Sequence, residues 1–340
     1  MNWAKDWVFT DKANHDIKVK ILISIVIPVK NGDAWLDKTM PAILGQSLMD
    51  QTELIVIDSG STDRTKSILE KYPVKLINIP SNEFNHGATR NLGVENSTGK
   101  YVVMTVQDAK PVGKKWLELL LEPFSDEKVA AVCGQQIVPH DSDKNPIQWF
   151  RPVSKPSIRK VFYPGWEEFG SLSPQEKRNA CSWDNVNAMY RRESLVKIPF
   201  RNVDFAEDMH WAKDALESGY CLVHSGFAQV EHYHNNSSHS NFVRQFAEDF
   251  LLYKMFGIMP KNGTPNSFMM LRDMKRLLKE NRVSFRDKWK WLQYNRMLRE
   301  SSKQANLHFF NSLALGEDNL EDSYQKLNTS FSQPLKPVLS

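Results

Sequence analysis

Between residue 21 and about residue 135 the chain alternates apolar runs with amphipathic ones, and no other feature restricts its fold as strongly. ILISIVIPV (21–29) is a continuous β-branched run, the pattern of a strand buried on both faces of a parallel sheet. AWLDKTMPAILGQS has helical spacing, and TELIVIDSG is a second strand of the first kind. STDRTKSILEKY predicts a helix with Ser61 and Thr62 as N-caps and Asp63 in its first turn. VKLINIP gives a third strand, ATRNLGVENSTG a short helix closed by Gly99, and KYVVMTVQDA a fourth strand; WLELLLEPF and VAAVCGQQIV continue as helix and strand. Such alternation predicts an α/β fold: a doubly wound, mostly parallel, Rossmann-like sheet with ligands at the carboxyl ends of its strands.

The texture changes after Pro139. Residues 139–174 are rich in proline and aromatic residues and read as a loop-rich insertion over the sheet edge. NVNAMYRRESL, EDMHWAKDALESG and YCLVHSG resume the regular pattern, and from 242 the chain is mainly helical. The expected organisation is an α/β domain over 1–240, with a first half at about 21–135 and a second half at about 136–240. A helical, basic, amphipathic extension over 241–315 follows, then a polar tail over 316–340 with the composition of a disordered end.

Three cysteines, Cys133, Cys181 and Cys221, lie far apart without metal-site spacing, which suits buried thiols in a reducing compartment. The N-terminus lacks the apolar segment of a signal peptide, and the longest apolar run falls far short of the ~20 residues of a membrane span. A cytoplasmic protein is expected. The net charge of +4 is concentrated in one region: Phe268 to Phe310 holds eleven basic and four acidic residues.

Polar residues gather at the predicted strand ends, in IPVKNG (27–32), DSGSTD (58–63), FNHGATRN (84–91), QDA (107–109) and a later FAED (205–208). These five motifs, in this order over about residues 22 to 245, resemble the inverting family 2 glycosyltransferases of GT-A fold. IPVKNG, FNHGATRN and QDA look most like the bacterial rhamnosyltransferase branch. The resemblance implies transfer of a sugar from a dTDP- or UDP-linked donor to a saccharide or lipid-linked saccharide acceptor during polysaccharide assembly.

It also implies roles. Asp58 would accept a hydrogen bond from a uracil or thymine N–H, and Pro28, Lys30 and Asn31 would pack around the nucleoside. Asp58 and Asp63 equally suit the capping of a turn and helix. A helix N-terminus at NHGATRN would offer N–H groups to a diphosphate, with His86 and the planar fork of Arg90 beside them; Asn85 as a cap and Arg90 on the surface is the alternative. Asp108 is the metal candidate, because Mg²⁺ or Mn²⁺ neutralises a diphosphate and stabilises the leaving group. The family usually carries Asp-x-Asp here, whereas this chain has Gln107 before Asp108 and Ala109 after it. A further ligand must therefore come from elsewhere, and the family points to HYH, with His234 and His232; imidazole favours Mn²⁺.

By the same resemblance Asp208 is the base that takes the acceptor's proton, and Glu207 and Asn187 lie toward the acceptor. A pair of first-turn acids favouring a helix dipole reads the same way in sequence. Trp166 and Trp183, with Trp149, Tyr163 and Phe169, could form sugar platforms or lid packing. Over 268–303, Met270, Leu271, Met274, Leu277 and Leu278 make an apolar stripe with Lys275, Arg276 and Lys279 off it, a pattern that fits either an anionic membrane surface at the inner face or packing on the catalytic domain. Nucleic acid fits poorly, since the catalytic region has no basic aromatic stripe. A nucleotidyltransferase on a similar sheet or a non-catalytic sugar-nucleotide-binding protein are the competing readings; the lack of GxGxxG after the first strand argues against a dinucleotide enzyme.

Overall fold

A computed structural model of the chain describes residues 21–141, 143–150, 155–260 and 267–328. The expectations for residues 1–20, for the side chain of Met270 and for the tail beyond 328 lie outside the described residues. The first half runs β1 (Ile23–Val29), α1 (Asp33–Leu44), β2 (Thr52–Asp58), α2 (Thr65–Leu69), β3 (Lys75–Asn78), α3 (His86–Glu95), β4 (Tyr101–Thr105), β5 (Lys110–Pro111), α4 (Trp116–Leu121) and β6 (Val129–Ile137). The second half adds β7 (Ile158–Val161), α5 (Trp166–Gly170), α6 (Pro174–Ala180), β8 (Asn187–Arg191), α7 (Arg192–Lys197), α8 (Glu207–Glu217) and β9 (Cys221–Glu231). It ends with α9 (Ser238–Phe256), α10 (Ser267–Lys279), α11 (Phe285–Ala314) and α12 (Glu317–Asn328).

One nine-stranded sheet spans both halves in the order β3-β2-β1-β4-β8-β6-β9-β5, with β7 also on β9. β3, β2, β1 and β4 are parallel to one another, β6 and β9 are parallel, and β8 enters antiparallel between β4 and β6. The carboxyl ends of β1, β2, β4, β6 and β9 and the amino end of β8 therefore face the same side. The apolar runs serve both faces as expected. Ile23, Ile25, Ile27 and Val29 pack with α1 and α4 through Leu36, Met40, Trp116 and Leu120, while Val26 packs with Val94, Trp211 and Ala215 of α3 and α8.

Local departures have simple causes. The helix expected from Ser61 starts at Thr65, because Asp63 rather than Ser61 or Thr62 accepts the Thr65 N–H (3.0 Å). The helix expected to close at Gly99 ends at Glu95, and the Gly99 N–H instead reaches the buried Ser24 hydroxyl (2.9 Å). The polar segment from Gly316 is helical through Asn328, since Leu320 and Tyr324 bury against α9 and α11, with Tyr324 stacked on Phe250 at 4.0 Å. In the basic extension the apolar stripe divides. Leu277 is fully buried with Trp149, Ile147, Val283 and Trp291, whereas Leu271 and Leu278 face outward with Lys275 and Lys279. Trp149 is thereby packing rather than a sugar platform.

Gly93 fixes how closely α3 lies on the sheet. A Cβ there would stand 2.3 Å from Val26 Cγ1 in the central strand. Gly93→Ala should cost about 1–3 kcal/mol by overpacking; urea unfolding checks this, and an unchanged midpoint would mean that α3 moves off the strand freely.

Candidate active site

Three ligand-capable side chains meet where β4 and β9 end. Asp108 Oδ2 lies 3.1 Å from His234 Nε2 and 3.5 Å from His232 Nε2, and the two Nε2 atoms are 2.9 Å apart. Donor atoms held at right angles about 2.1 Å from a metal are about 3 Å apart, so these separations match one face of a hard-cation site. Asp108 Oδ2 is buried and no proton donor meets it with hydrogen-bond geometry, an orphan that a cation would satisfy. Burial works to raise the Asp108 carboxyl, but the two imidazoles outweigh it and hold it below the usual carboxylate range. Burial also lowers His234. An anionic oxygen and a neutral imidazole are what a divalent ion requires. His239 sits on α9, exposed and outside this cluster.

Gln136, at the end of β6, orients His232. Its Oε1 accepts from His232 Nδ1 at 2.7 Å, which turns Nε2 of the ring toward Asp108 and His234. The Gln136 amide also donates to Asp184, whose Oδ1 accepts from the backbone N–H of Val186 (3.1 Å) and Asn187 (3.3 Å). Burial raises Asp184 against these hydrogen bonds.

A second cluster forms at the start of α8. Ala206 adopts a left-handed conformation (φ 56°), a strained choice for a residue with a Cβ, and this turn starts the helix at Glu207. Glu207 Oε1 is 2.8 Å from Arg90 Nη1, with both side chains buried, and it accepts from Asn185 Nδ2 at 2.9 Å. Burial would raise Glu207, but Arg90 and then His86 and Asn185 hold it low and ionised. Its neighbour Asp208 goes the other way. Burial pushes Asp208 up to about 8, with the charges of Glu207 and Asp184 adding to the effect. Asp208 accepts from the N–H groups of Met209 (2.7 Å) and Asn185 (3.3 Å). Two adjacent carboxylates thus differ in protonation by environment alone.

The structure redistributes several expected roles. Arg90 is not a free phosphate fork: it is buried against Glu207, and its Nη1 also reaches the His86 carbonyl (3.1 Å). The first N–H groups of α3 are not open either, because the Asn85 side chain accepts from Gly87 (2.9 Å) and Ala88 (3.1 Å). His86 is lowered by burial and by the Arg90 charge, and packs edge-on to Phe84. Glu207 is bound to Arg90 and Asn185 and keeps little exposed surface. Asn187 is fully buried, accepting from Trp116 Nε1 (2.8 Å) and donating to the Ala228 carbonyl (2.9 Å), so it ties strands together. Trp183 is buried in the aromatic core and donates to Tyr190 (2.7 Å), whereas Trp166 is 69% exposed.

At the end of β2, Asp58 is buried and accepts from the Ser61 N–H at 3.2–3.3 Å, with Lys66 Nζ 3.4 Å from Oδ2. Asn31, left-handed at φ 50°, ties its loop to the next one through the Thr62 N–H and the Ser61 hydroxyl (both 2.9 Å), and Lys30 Nζ meets the Ser81 hydroxyl. Pro28 lies in the half-exposed end of β1, past the last β1–β4 pair. The Gln107 amide is used in holding the Lys30 backbone, accepting from its N–H (2.9 Å) and donating to its carbonyl (3.2 Å). It supports the loop after β1. Gln136, Asp184 and Asn185 stand in no motif; the polar pair Asp184–Asn185 just before a buried strand is the sign the sequence offers of the latter two.

The sheet order and the strand-end cluster define a nucleotide-sugar-type α/β enzyme fold, GT-A. Glycosyl transferase family 2 has a family model that matches residues 24–198. The chain is 33% identical over 232 residues to the O-antigen chain rhamnosyltransferase WbaN of Salmonella anatum, covering 66% of this chain and 70% of that one. It is 32% identical over 231 residues to the O-antigen chain rhamnosyltransferase RfbN of Salmonella typhimurium, with the same coverage. A mannosyltransferase of Pyrobaculum calidifontis, solved with GDP-Man and Mn²⁺, shares the fold at TM-score 0.52 and 18% identity, over 97% of this chain and 90% of that one. The chain belongs to glycosyl transferase family 2 and is a glycosyltransferase.

Gln136→Leu should weaken Mn²⁺ binding by roughly 10–100-fold, the usual loss when a histidine ligand's outer partner is removed. Calorimetric titration of the folded variant reads this directly, and an unaltered affinity would remove Gln136 from the metal site.

Proposed function

We propose that the protein is an inverting glycosyltransferase of bacterial surface-polysaccharide assembly, moving a sugar from a nucleoside diphosphate to a saccharide or lipid-linked saccharide hydroxyl. The Asp108–His232–His234 cluster, in a chain of this family, carries the reading. Rhamnose from a dTDP donor is the first candidate, because two relatives are named O-antigen chain rhamnosyltransferases; UDP-sugars are second. Mn²⁺ suits the two imidazoles better than Mg²⁺, and it would neutralise the diphosphate as the anomeric bond breaks.

The chain's own residues would then divide the work. Asp108, His232 and His234 hold the ion, Gln136 sets the ring of His232, and the Lys30–Asn31 loop, braced by Gln107 and Ser61, closes over the nucleoside with Asp58 beneath it. The acceptor oxygen attacks the anomeric carbon, its proton passes to Asp208, and the nucleoside diphosphate leaves with the bonding pair. A single displacement inverts the anomeric centre. A base near pH 8 is matched to this proton, which becomes acidic only as the new bond forms.

Asp208→Asn should keep nucleotide and Mn²⁺ binding and lose transfer by roughly 10²–10⁴-fold; wild-type turnover would refute the assignment. In the wild type, kcat/KM should rise with pH along an acid limb near 8, well above the carboxylate range. Stability gives a separate test with a definite sign. A folded pKa above the unfolded one means that the native state holds the extra proton, so stability falls as pH climbs from about 4 to about 8. Asp208→Asn should therefore melt higher than wild type at pH 8, with the gap closing toward pH 5, in paired thermal melts.

No described helix is long and apolar enough to cross a membrane. We infer peripheral contact with an anionic lipid surface through the turn between α10 and α11. Phe285 (82% exposed) and Trp289 (61% exposed) project there beside exposed Lys279, Arg286 and Lys290. Flotation with phosphatidylglycerol vesicles should be lost in the Phe285→Ser, Trp289→Ser double variant and reduced by salt; flotation unaffected by either would defeat this docking.

A further inference from the structure

The ladder between β6 and β9 is interrupted at one place. Cys133 pairs with His224 and Gln135 with Gln229, so Gly134 alone faces the chain from Ser225 to Ala228. An extra loop of this kind pushes one strand away from its partner and aims side chains into the gap. Here the gap is a polar cavity of about 380 Å³, whose walls include Gln136, Lys155, Ser157, Arg159, Asp184 and His224. Its lining residues Gly134, Gln135 and Gln136 lie toward the carboxyl end of β6. Its size lies within the range of about 300–1,000 Å³ usual for small-molecule sites.

Two walls are shared with the site above. Gln136 holds His232, and the charge of Asp184 acts on Asp208. A ligand in the cavity therefore lies beside both the metal cluster and the candidate base. The remaining groups indicate its chemistry. Lys155 and Arg159 are exposed at the rim and form no ion pair with any described residue. Asp184, the one carboxylate in the lining, is already engaged by Gln136 and two backbone N–H groups. His224 Nε2 is buried without a hydrogen-bond partner. Burial and the Arg159 charge lower that ring to about 4, so it is neutral and offers a hydrogen bond rather than a charge. The cavity thus has a cationic rim over polar walls whose single carboxylate, Asp184, is held by hydrogen bonds, an arrangement that favours an anion at the rim and hydroxyls below it.

We propose that this cavity seats the acceptor, and that the acceptor is an anionic saccharide whose phosphate or carboxylate lies between Lys155 and Arg159 with its hydroxyls toward Gln136 and His224. The proposal rests on the glycosyltransferase reading above and replaces Asn187, Trp183 and Glu207 as acceptor contacts.

The test uses the full chain saturated with Mn²⁺ and UDP or dTDP, so that the diphosphate position is filled before a probe is added. Methyl glucoside, glucose 1-phosphate and methyl glucuronide are then titrated by calorimetry or saturation-transfer NMR. At least one anionic probe should bind about tenfold tighter than the neutral one, the gain of a charge-assisted contact. Arg159→Ala combined with Lys155→Ala, at exposed positions that leave the core intact, should abolish that preference, and His224→Gln should weaken all three probes together. Preference for the phosphate identifies a phosphate-bearing anchor, and preference for the carboxylate an acidic sugar. Equal affinity for the three probes, no binding of any, or a preference that survives the double substitution overturns the cavity assignment. Failure of both nucleotides to bind with Mn²⁺ would instead strike the glycosyltransferase reading itself, so the two failures are separable.

Discussion

The buried ion pair of Arg90 and Glu207, 2.8 Å between Nη1 and Oε1, is the contact on which the active-site side of the molecule depends. It joins α3, which follows the first three strands, to α8, which precedes the last. Burying two charges is costly, and such a pair adds little net stability over apolar packing. What it supplies is position. Arg90 keeps Glu207 ionised, Glu207 and Asn185 fix the first turn of α8, and the neighbouring Asp208 is left in a negative, water-poor setting that raises it to about 8. Without that fixed anion beside it, Asp208 would be nearer an ordinary carboxylate.

The Asp108–His232–His234 cluster follows a different logic. Asp108 and His232 are far apart in sequence, and only the pairing of Lys110 with Glu231 and Pro111 with Val230 brings the end of β4 beside the end of β9. Lys110 and Glu231 add a surface ion pair at 2.9 Å. A lone aspartate in QDA thus becomes one corner of a three-donor face. The missing partner of an Asp-x-Asp pair is supplied by imidazoles from the far edge of the sheet, and Gln107, in the vacant position, braces the loop after β1.

Much of this was legible in the linear chain. The strands were, since a β-branched run can bury both faces of a parallel sheet and Ile23, Ile25 and Ile27 alternate with Val26 as that requires. Asp108, His232 and His234, which the fold brings together, could be singled out because few roles suit a carboxylate or imidazole at a strand end. The internal partners of Arg90, Glu207 and Asn187 could not be read from the linear chain, for one physical reason. Each is a strongly polar side chain whose hydrogen-bonding capacity is consumed inside the protein, and sequence does not report which polar groups find partners at home. Gln136 and Asp184 were missed for the converse reason: an amide and an acid without a motif acquire significance only through the imidazole and carboxylate beside them.

By itself, then, the sequence determined the alternation of strand and helix, the ends at which polar groups collect, and the chemical types available there. Period and composition act locally, through burial and backbone propensity, and survive without knowledge of distant partners. The tertiary structure alone decided which carboxylate is ionised, how the His232 ring is turned beside Asp108, where β9 bulges to open a cavity, and that Trp289 faces outward while Trp291 faces in. Those outcomes depend on distances of 3 to 4 Å between residues remote in sequence, and on the exclusion of water around them, which only the packed chain establishes.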